Sequence, residues 1–481
     1  MQIADAVGAM TGERFRDSLD DGREIWLAGE RVGNVAAHPA FRGTVEEFAR
    51  LYDRQHDPEL RDELTYVSDT GNRVSWSYHL PKNEDDLRRK YDNTRSWMRA
   101  SFGQLGRAPD FMANVAVGLH DFRNELNASR EGFGDHAAAY HRWAAENDLA
   151  LTHALGDPQI DRSASPLDDP DLALRVVKET DNGVVLRGAK QLATLAPFAH
   201  EVLVYLNGVS AQRGAEEFVV WFALPMNAPG LRILCREPLS DPGHGHSHPF
   251  AGRFDEQDAM LFFDDVEVPW ERVFLLGDGL LALKGLSRIN AWSNQSTHIR
   301  FHERLRTFAA VGSMVAESIG VDGFRGIQED LGELVSYAET ARLAITGAER
   351  DGYGTPGGLY APGDSYGLGY WSAQISSRVA EIVRRIGASG ILMQPSEADL
   401  ASPELRPLLD TYMRGKDIGV AEKSRLFRVA WDLVCDGFGQ RQELYEYLHR
   451  GDLAAGRIRL YKRYDRSEVE NRLRELIAKP L

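Results

Sequence analysis

Leu149–Leu206 decides how this chain is read: LALTHALGDPQIDRSASPLDDP (149–170), a short link, then GVVLRGAKQLATLAPFAHEVLVYL (183–206). The first half gathers His153, Gln159, Arg162, three hydroxyls and four acids around a turn. Neither a helix nor a strand needs that density of polar groups, so a ligand is the economical explanation. Asp157-Pro158 and Ser165-Pro166 are turn dipeptides, because a proline pushes the residue before it out of the helical region. Backbone amides held in such turns stay available to face an anion or an aromatic heterocycle. In the second half, Thr194 stands in a run of Leu, Ala and Pro, where a lone hydroxyl must find a partner if buried. The competing reading is a polar crossover loop followed by a strand.

Around this stretch the chain reads as three parts. Residues 1–147 are mostly helical: Val45 to Asp57 and Glu84 to Phe102 carry apolar residues at mixed three- and four-residue steps. Residues 148–277 switch to short β-prone runs (Val184 to Leu186, Val202 to Leu206, Phe218 to Leu224, Leu231 to Cys235, Ala259 to Phe263) separated by Gly, Pro and Asp. That spacing predicts a compact β-barrel or sandwich between helical regions. Residues 278–481 are helical again. Ile327, Leu331, Leu334, Val335, Ala338 and Ala341 form one apolar stripe, and Leu426, Phe427, Ala430, Leu433 and Val434 another, as in an antiparallel bundle. Gly352-Tyr-Gly-Thr-Pro-Gly357 matches GxGxxG literally but follows a helix and contains Pro, so it reads as a loop and not as a dinucleotide fingerprint.

A chain of 481 residues can build a large core in two to four domains, and 43% hydrophobic with 27% charged residues is ordinary globular composition. A net charge of -16 opposes nucleic acid or an anionic membrane as the default partner. Cys235 and Cys435 offer neither a disulfide framework nor a cluster for zinc or iron–sulfur. The opening residues are acidic and broken by Gly, without a signal-peptide core, and no run of ~18 apolar residues exists to span a membrane. The expected location is the cytoplasm. The histidines of Gly243–Pro249 prompt a metal check, but the segment is Gly-rich, reads as loop and has no carboxylate ligand pattern beside it. No metal site is expected there; a cover over a pocket fits better.

Arg107 follows a Gly, and Ala108-Pro109 starts a helix with Asp110 in its first turn and Phe111 four positions beyond the Arg. Across that start, Arg and ring can both point into one cavity, and a guanidinium that never loses its charge suits a phenolate or carboxylate. The plain alternative is a surface arginine.

THALGDPQIDRS (152–163), KQLATLAP (190–197) and GRFDEQDAMLFFDDVEVPWERVFLLGD (252–278) resemble the oxygenase component of two-component flavin monooxygenases, the family of 4-hydroxyphenylacetate 3-monooxygenase and related phenol hydroxylases. The likeness extends from GERFRDSLDDGREIWLAGERV (12–32) to FGQRQELYEYLHRGD (438–452). It implies an α+β, acyl-CoA dehydrogenase-like fold: an N-terminal helical domain, a middle β-barrel domain and a C-terminal antiparallel helix bundle. It also implies FAD bound as FADH2, O2 as co-substrate, and attack of a flavin C4a-hydroperoxide on an electron-rich aromatic ring. No NAD(P)H site is legible, so a separate NAD(P)H-flavin reductase is the implied partner, and a homotetramer the implied assembly.

The resemblance further implies roles. Arg107 and His153 would be catalytic, and Arg107, Phe111, His153, Leu206 and Asn207 would bind substrate. Gln159, Ile160, Asp161, Arg162, Ser165, Thr194, Gly439 and Arg441 would contact the flavin. Arg162 either neutralises pyrophosphate or pairs with Asp161 at the surface, and paired glycines at 437 and 439 also fit a simple bundle kink. Two departures from the family pattern point to a substrate other than 4-hydroxyphenylacetate: Phe111 where the family usually has Tyr, and Asn294-Gln295, with His298 one turn on, where some relatives have His-Gln. The rival readings are an acyl-CoA dehydrogenase-like flavoenzyme acting on a thioester and a binding protein that keeps the fold without chemistry.

Overall fold

The computed structural model describes residues 7–205, 214–239, 245–449 and 451–478. Leu206 and Asn207, together with residues 243 and 244 of the histidine-rich loop, lie outside the described residues. The N-terminal part is mostly helix, as its apolar spacing predicts. Glu84–Ala100 turns Leu87, Tyr91, Trp97 and Met98 inward. Asn83 caps it by accepting the Asp86 N–H at 2.9 Å, and three acids in the first turn face the positive end of the helix dipole. Pro109–Asp121 starts on its proline and buries nearly every residue, so it runs through the core rather than along a surface.

The strands do not close into a barrel among the described residues. A six-stranded sheet runs in the order Glu30–Arg31, Glu24–Leu27, Leu231–Cys235, Asp258–Pro269, Gly183–Thr194, Arg175–Glu179. A four-stranded sheet runs Val273–Leu276, Val220–Pro225, Glu201–Val204, Leu151–His153. The expectation of a barrel fails because Glu24–Leu27 joins the edge of Leu231–Cys235 in parallel from the N-terminal region, and the six-stranded sheet ends on Glu30–Arg31 and Arg175–Glu179, which do not pair with each other.

Two registers position the chemistry. Thr194 and Asp258 are opposite each other where their antiparallel strands end. His153, last in its strand, pairs in parallel with Leu203, so Tyr205, two residues on, projects from the same face as Leu203.

Helix Ala291–Ser318 is buried on most of its sides and packs on Glu84–Ala100 and Pro109–Asp121 as well as on Arg325–Arg350 and Tyr366–Gly387. It ties the N-terminal helices to the C-terminal ones. In Arg325–Arg350 the predicted stripe holds at Leu334, Ala338 and Ala341, but Val335 is exposed: it lies at the edge of the arc the neighbouring helices cover. In Val420–Val434 the stripe is buried at Phe427, Ala430, Leu433 and Val434. The GYGTPG segment forms a small hairpin of Tyr353–Gly354 with Tyr360–Ala361. No helix among the described residues is long and apolar enough to cross a membrane.

Candidate active site

Arg107, Phe111 and His153 come together. The loop before Pro109–Asp121 is pinned because the N–H groups of Gly106 and Arg107 both donate to the carboxylate of Glu256. The guanidinium then reaches inward. Its Nη1 donates to Tyr445 Oη at 2.9 Å and to Gly106 O at 3.0 Å, its Nη2 lies 2.7 Å from His153 Nε2, and its carbon sits 4.3 Å from the Phe111 ring centre. Among the described residues no carboxylate oxygen pairs with this guanidinium, and its buried Nε has no partner.

These contacts fix the proton on His153. A guanidinium only donates, so Nε2 must accept and Nδ1 must carry the hydrogen. Nδ1 donates to Tyr205 Oη at 2.9 Å, and Tyr205 in turn donates to Asn290 Oδ1 at 3.1 Å. Asn290 is oriented by its own amide, whose Nδ2 donates to Leu286 O at 2.9 Å. Burial, with the charge of Arg107 beside it, pushes His153 well below the usual imidazole value, so the ring is neutral. The chain ends on an amide oxygen, which accepts a proton's hydrogen bond but does not pass the proton on. The network therefore holds a tautomer and drains nothing.

Thr194 and Arg441 make a second cluster beside the first. Arg441 grips Asp258 with two bonds, Nε to Oδ2 at 2.9 Å and Nη2 to Oδ1 at 2.6 Å. Thr194 Oγ1 donates to Asp258 Oδ1 at 2.7 Å, so the lone hydroxyl of the apolar run has its partner. Burial alone would raise the Asp258 carboxyl, but Arg441 and then Arg236 outweigh it and hold it well below the ordinary carboxylate range. Glu256, 3.5 Å from Arg441, and Tyr445, one turn along the same helix, connect the two clusters.

The expected cofactor residues divide. Gln159 to Arg162 stand on an exposed loop whose base is fixed by the Lys190–Asp157 ion pair at 2.6 Å and a bridge from Gly156 to Gln191. Asp161 accepts from the Ser163 N–H and hydroxyl, not from Arg162. Ser165 Oγ accepts from the Leu167 N–H at 3.2 Å. Gly439 lies in the first turn of Gly437–Leu448, where a Cβ would stand 2.7 Å from Asp432 O. Its smallness is what lets that helix, and with it Arg441, sit close against the previous one.

The surroundings suit a flat, partly apolar group with polar edges, as an isoalloxazine is. Ile160 and Leu192 are each 63% exposed, and the backbone on either side of Thr194 is held in left-handed conformations, at Leu192 (φ 59°) and Leu195 (φ 77°).

The sequence placed Asn294-Gln295 at the position of the relatives' His-Gln pair. The structure puts neither residue in the His153 network; Gln295 turns into the bundle, its Nε2 donating to Ile345 O at 3.1 Å. The residue that reaches Tyr205 is Asn290, one turn earlier. Asn294 and His298 line a separate cavity of about 210 Å³ with Arg288, Tyr366 and Arg463.

Sequence reading missed Tyr205, Asn290, Glu256, Asp258 and Tyr445. One signal was available: the three acids of Asp255-Glu-Gln-Asp258, just before an apolar strand, call for cationic partners.

Comparison with known proteins places the chain in a family. The family model for the 4-hydroxyphenylacetate 3-hydroxylase N-terminal region matches residues 11–275, and that for the C-terminal region residues 286–478. The oxygenase component of 4-hydroxyphenylacetate 3-monooxygenase from Thermus thermophilus is 36% identical over 98% of each chain. A Streptomyces globisporus monooxygenase acting on a carrier-bound (3S)-3-amino-3-(3-chloro-4-hydroxyphenyl)propanoyl group is 34% identical over 94% of this chain and 86% of its own. The crystal structure of a 4-hydroxyphenylacetate 3-monooxygenase oxygenase component with FAD and 4-hydroxyphenylacetate superposes with a TM-score of 0.93 over 98% of each chain at 35% identity. The architecture, helix and open sheet together, is of the acyl-CoA dehydrogenase type. The chain belongs to the 4-hydroxyphenylacetate 3-hydroxylase family, the oxygenase components of two-component aromatic monooxygenases.

Proposed function

We propose that this protein hydroxylates a phenolic ring other than 4-hydroxyphenylacetate, using FAD delivered already reduced by a separate NAD(P)H-flavin reductase. The observation that carries the reading is Arg107: a buried guanidinium without a carboxylate partner among the described residues, against a neutral imidazole and over an aromatic ring. Reduced FAD, when bound, supplies the electrons with which dioxygen is activated to give one oxygen atom to the ring.

The chain's own residues handle the substrate. A phenol entering between Arg107 and His153 donates its hydroxyl hydrogen to Nε2 and receives a bond from the guanidinium in exchange for the one these two groups share. Negative charge building on the phenol oxygen is met by Arg107, and the ring carbons become more electron-rich. His153 does this as a hydrogen-bond acceptor, because full protonation beside Arg107 is opposed by burial and like charge. Phe111 offers a face and no hydroxyl, so substrate polarity on that side goes unmatched. Leu206 and Asn207 are assigned to the same pocket by the family resemblance.

Thr194 and Arg441 would meet the flavin ring, and Gln159, Ile160, Asp161, Arg162 and Ser165 its remaining parts. Gly439 acts in this scheme by bringing Arg441 close. Four chains in the cytoplasm complete the reading; the exposed Val469, Leu473, Leu476 and Ile477 on helix Ser467–Ile477 support burial against another chain. Oxidation of a thioester is disfavoured, since Glu256 and Asp258, the carboxylates at the site, are held by backbone amides and arginines and neither is available as a base.

The test is turnover of a panel of substituted phenols with FAD, NADH and oxygen, with and without a flavin reductase. Hydroxylated product only in the presence of reductase, and poorer rates with 4-hydroxyphenylacetate than with another phenol, are expected. Equal product without reductase refutes the division of labour, and 4-hydroxyphenylacetate as the best substrate refutes the role given to Phe111.

A further inference from the structure

Away from that pocket, the segment after the histidine-rich loop meets the junction of helices Val420–Val434 and Gly437–Leu448. His248 Nδ1 lies 3.5 Å from Asp432 Oδ1 and 3.4 Å from Asp436 Oδ2. Charge-assisted N–H···O bonds run at roughly 2.7–2.9 Å, so neither separation is one. Among the described residues these three atoms are shielded from solvent and make no hydrogen bond, only the two long His248–carboxylate ion pairs. The Asp432 side chain is 0% exposed, and a carboxylate oxygen left so is costly.

The other oxygen of each carboxylate is fully used. Asp432 Oδ2 accepts the N–H groups of Phe250 at 2.7 Å and Ala251 at 2.9 Å. Asp436 Oδ1 accepts those of Phe438 at 2.9 Å and Gly439 at 3.2 Å, capping the second helix. Backbone amides thus orient both carboxylates so that one oxygen of each, and one imidazole nitrogen, converge on a common point. Such outer contacts are what hold metal ligands in place. A cation with bonds of roughly 2.0–2.2 Å to N and O has ligand–ligand edges of roughly 3.0–3.6 Å, from octahedral to tetrahedral, and the two separations fall in that range.

We infer that His248, Asp432 and Asp436 form a three-ligand site for a divalent first-row transition cation, with water in the remaining positions. One imidazole with two carboxylates suits Zn²⁺, Co²⁺ or Mn²⁺; Mg²⁺ and Ca²⁺, which take oxygen ligands, suit it poorly. The 24% exposure of the His248 side chain leaves a side open for water and for entry. The bound ion links the 245–254 segment to the helix that begins at Gly437 and carries Arg441, so its effect is to stiffen that junction rather than to take part in oxidation.

The experiment uses the full-length protein stripped with a chelator and titrated with CoCl2, following the visible absorption of bound Co²⁺ and the stoichiometry, then repeated with His248→Gln and Asp436→Asn. His248→Gln alters a partly exposed loop side chain, and the circular dichroism of each variant checks its fold. One Co²⁺ per chain, binding weakened at least tenfold in both variants, and a thermal midpoint raised by ZnCl2 but not by MgCl2 in the wild type are expected. No Co²⁺ uptake by the folded wild type overturns the inference. So does uptake unchanged in folded His248→Gln, which would place the ion on other histidines.

Discussion

Tyr205→Phe tests the tautomer argument at its weakest joint. The substitution keeps the ring and removes one oxygen, which among the described residues is the sole acceptor for His153 Nδ1–H at 2.9 Å and a donor to Asn290 Oδ1 at 3.1 Å. The loss is lopsided. Asn290 Oδ1 keeps a second donor in Ser293 Oγ at 3.3 Å, but the buried Nδ1–H of His153 keeps nothing. An orphaned buried donor costs about 1–3 kcal/mol. The ring cannot escape by moving its hydrogen to Nε2, because that would turn an N–H toward Arg107 Nη2 at 2.7 Å, donor against donor. It must rotate away from Arg107 or bear the cost, and either route disorganises the acceptor that a phenol needs. If all of that cost appears in the barrier, kcat/KM falls roughly 5- to 150-fold.

Asn290→Ala should do less, because Tyr205 still accepts from His153. The assay is initial rates with reduced FAD supplied enzymatically, alongside nitrogen-15 NMR of histidine-labelled protein. Wild type should show Nδ1 protonated and Nε2 bare at His153, and the variant a mixture. Wild-type resonances with the proton on Nε2, or rates within a factor of two of wild type in the variant, would refute the reasoning.

Three further outcomes are expected. Arg107→Lys keeps a charge but loses the planar fork that reaches His153 and Tyr445 together; phenol turnover should drop about 100- to 1,000-fold, the loss typical of a donor removed from a developing anion, as read from kcat/KM. Gly439→Ala sets a methyl 2.7 Å from Asp432 O, an overpacking that costs about 1–3 kcal/mol; a lowered thermal midpoint with weaker FADH2 binding should follow, and an unchanged midpoint would count against close helix contact there. His141, fully buried with Nε2 2.8 Å from Tyr78 O, is pushed by burial down to about 3, far below its unfolded value of ~6.5. The unfolded chain therefore binds the extra proton first: this contribution is intact above ~pH 6.5 and is lost toward pH 3, at up to about 1.4 kcal/mol per pH unit. Thermal midpoints measured from pH 7 to 4 should fall less steeply in His141→Asn than in wild type.

How much of this was legible follows the distance over which each residue finds its partner. Arg107, Phe111, His153 and Thr194 stand out because their chemistry clashes with their neighbours in sequence: a charge at a helix start, a hydroxyl among apolar residues. Tyr205 does not stand out. It ends an apolar strand as any tyrosine does, and only the parallel pairing of His153 with Leu203 gives it a role. The open sheet was illegible for a similar reason: nothing in EIWL at 24–27 announces a partner at 231–235. The acids that face His248 were illegible in the same way, because Asp432 and Asp436 arrive from a helix junction far along the chain.

Asn290 shows why even family resemblance falls short at such positions. Helix Gly279–Ile289 ends at Asn290 and helix Ala291–Ser318 begins after it. A break at that point changes which residues face the neighbouring strand. Alignment to the family pattern selects Asn294 and Gln295; in the structure Asn290, at the break, reaches Tyr205 and Gln295 turns into the bundle. Closing that break would carry a different consequence from deleting the side chain. Asn290→Ala removes one acceptor, whereas a change that fused the two helices would re-aim the polar residues on the first turns of Ala291–Ser318, and the Tyr205 hydroxyl would lose its acceptor even with Asn290 still present.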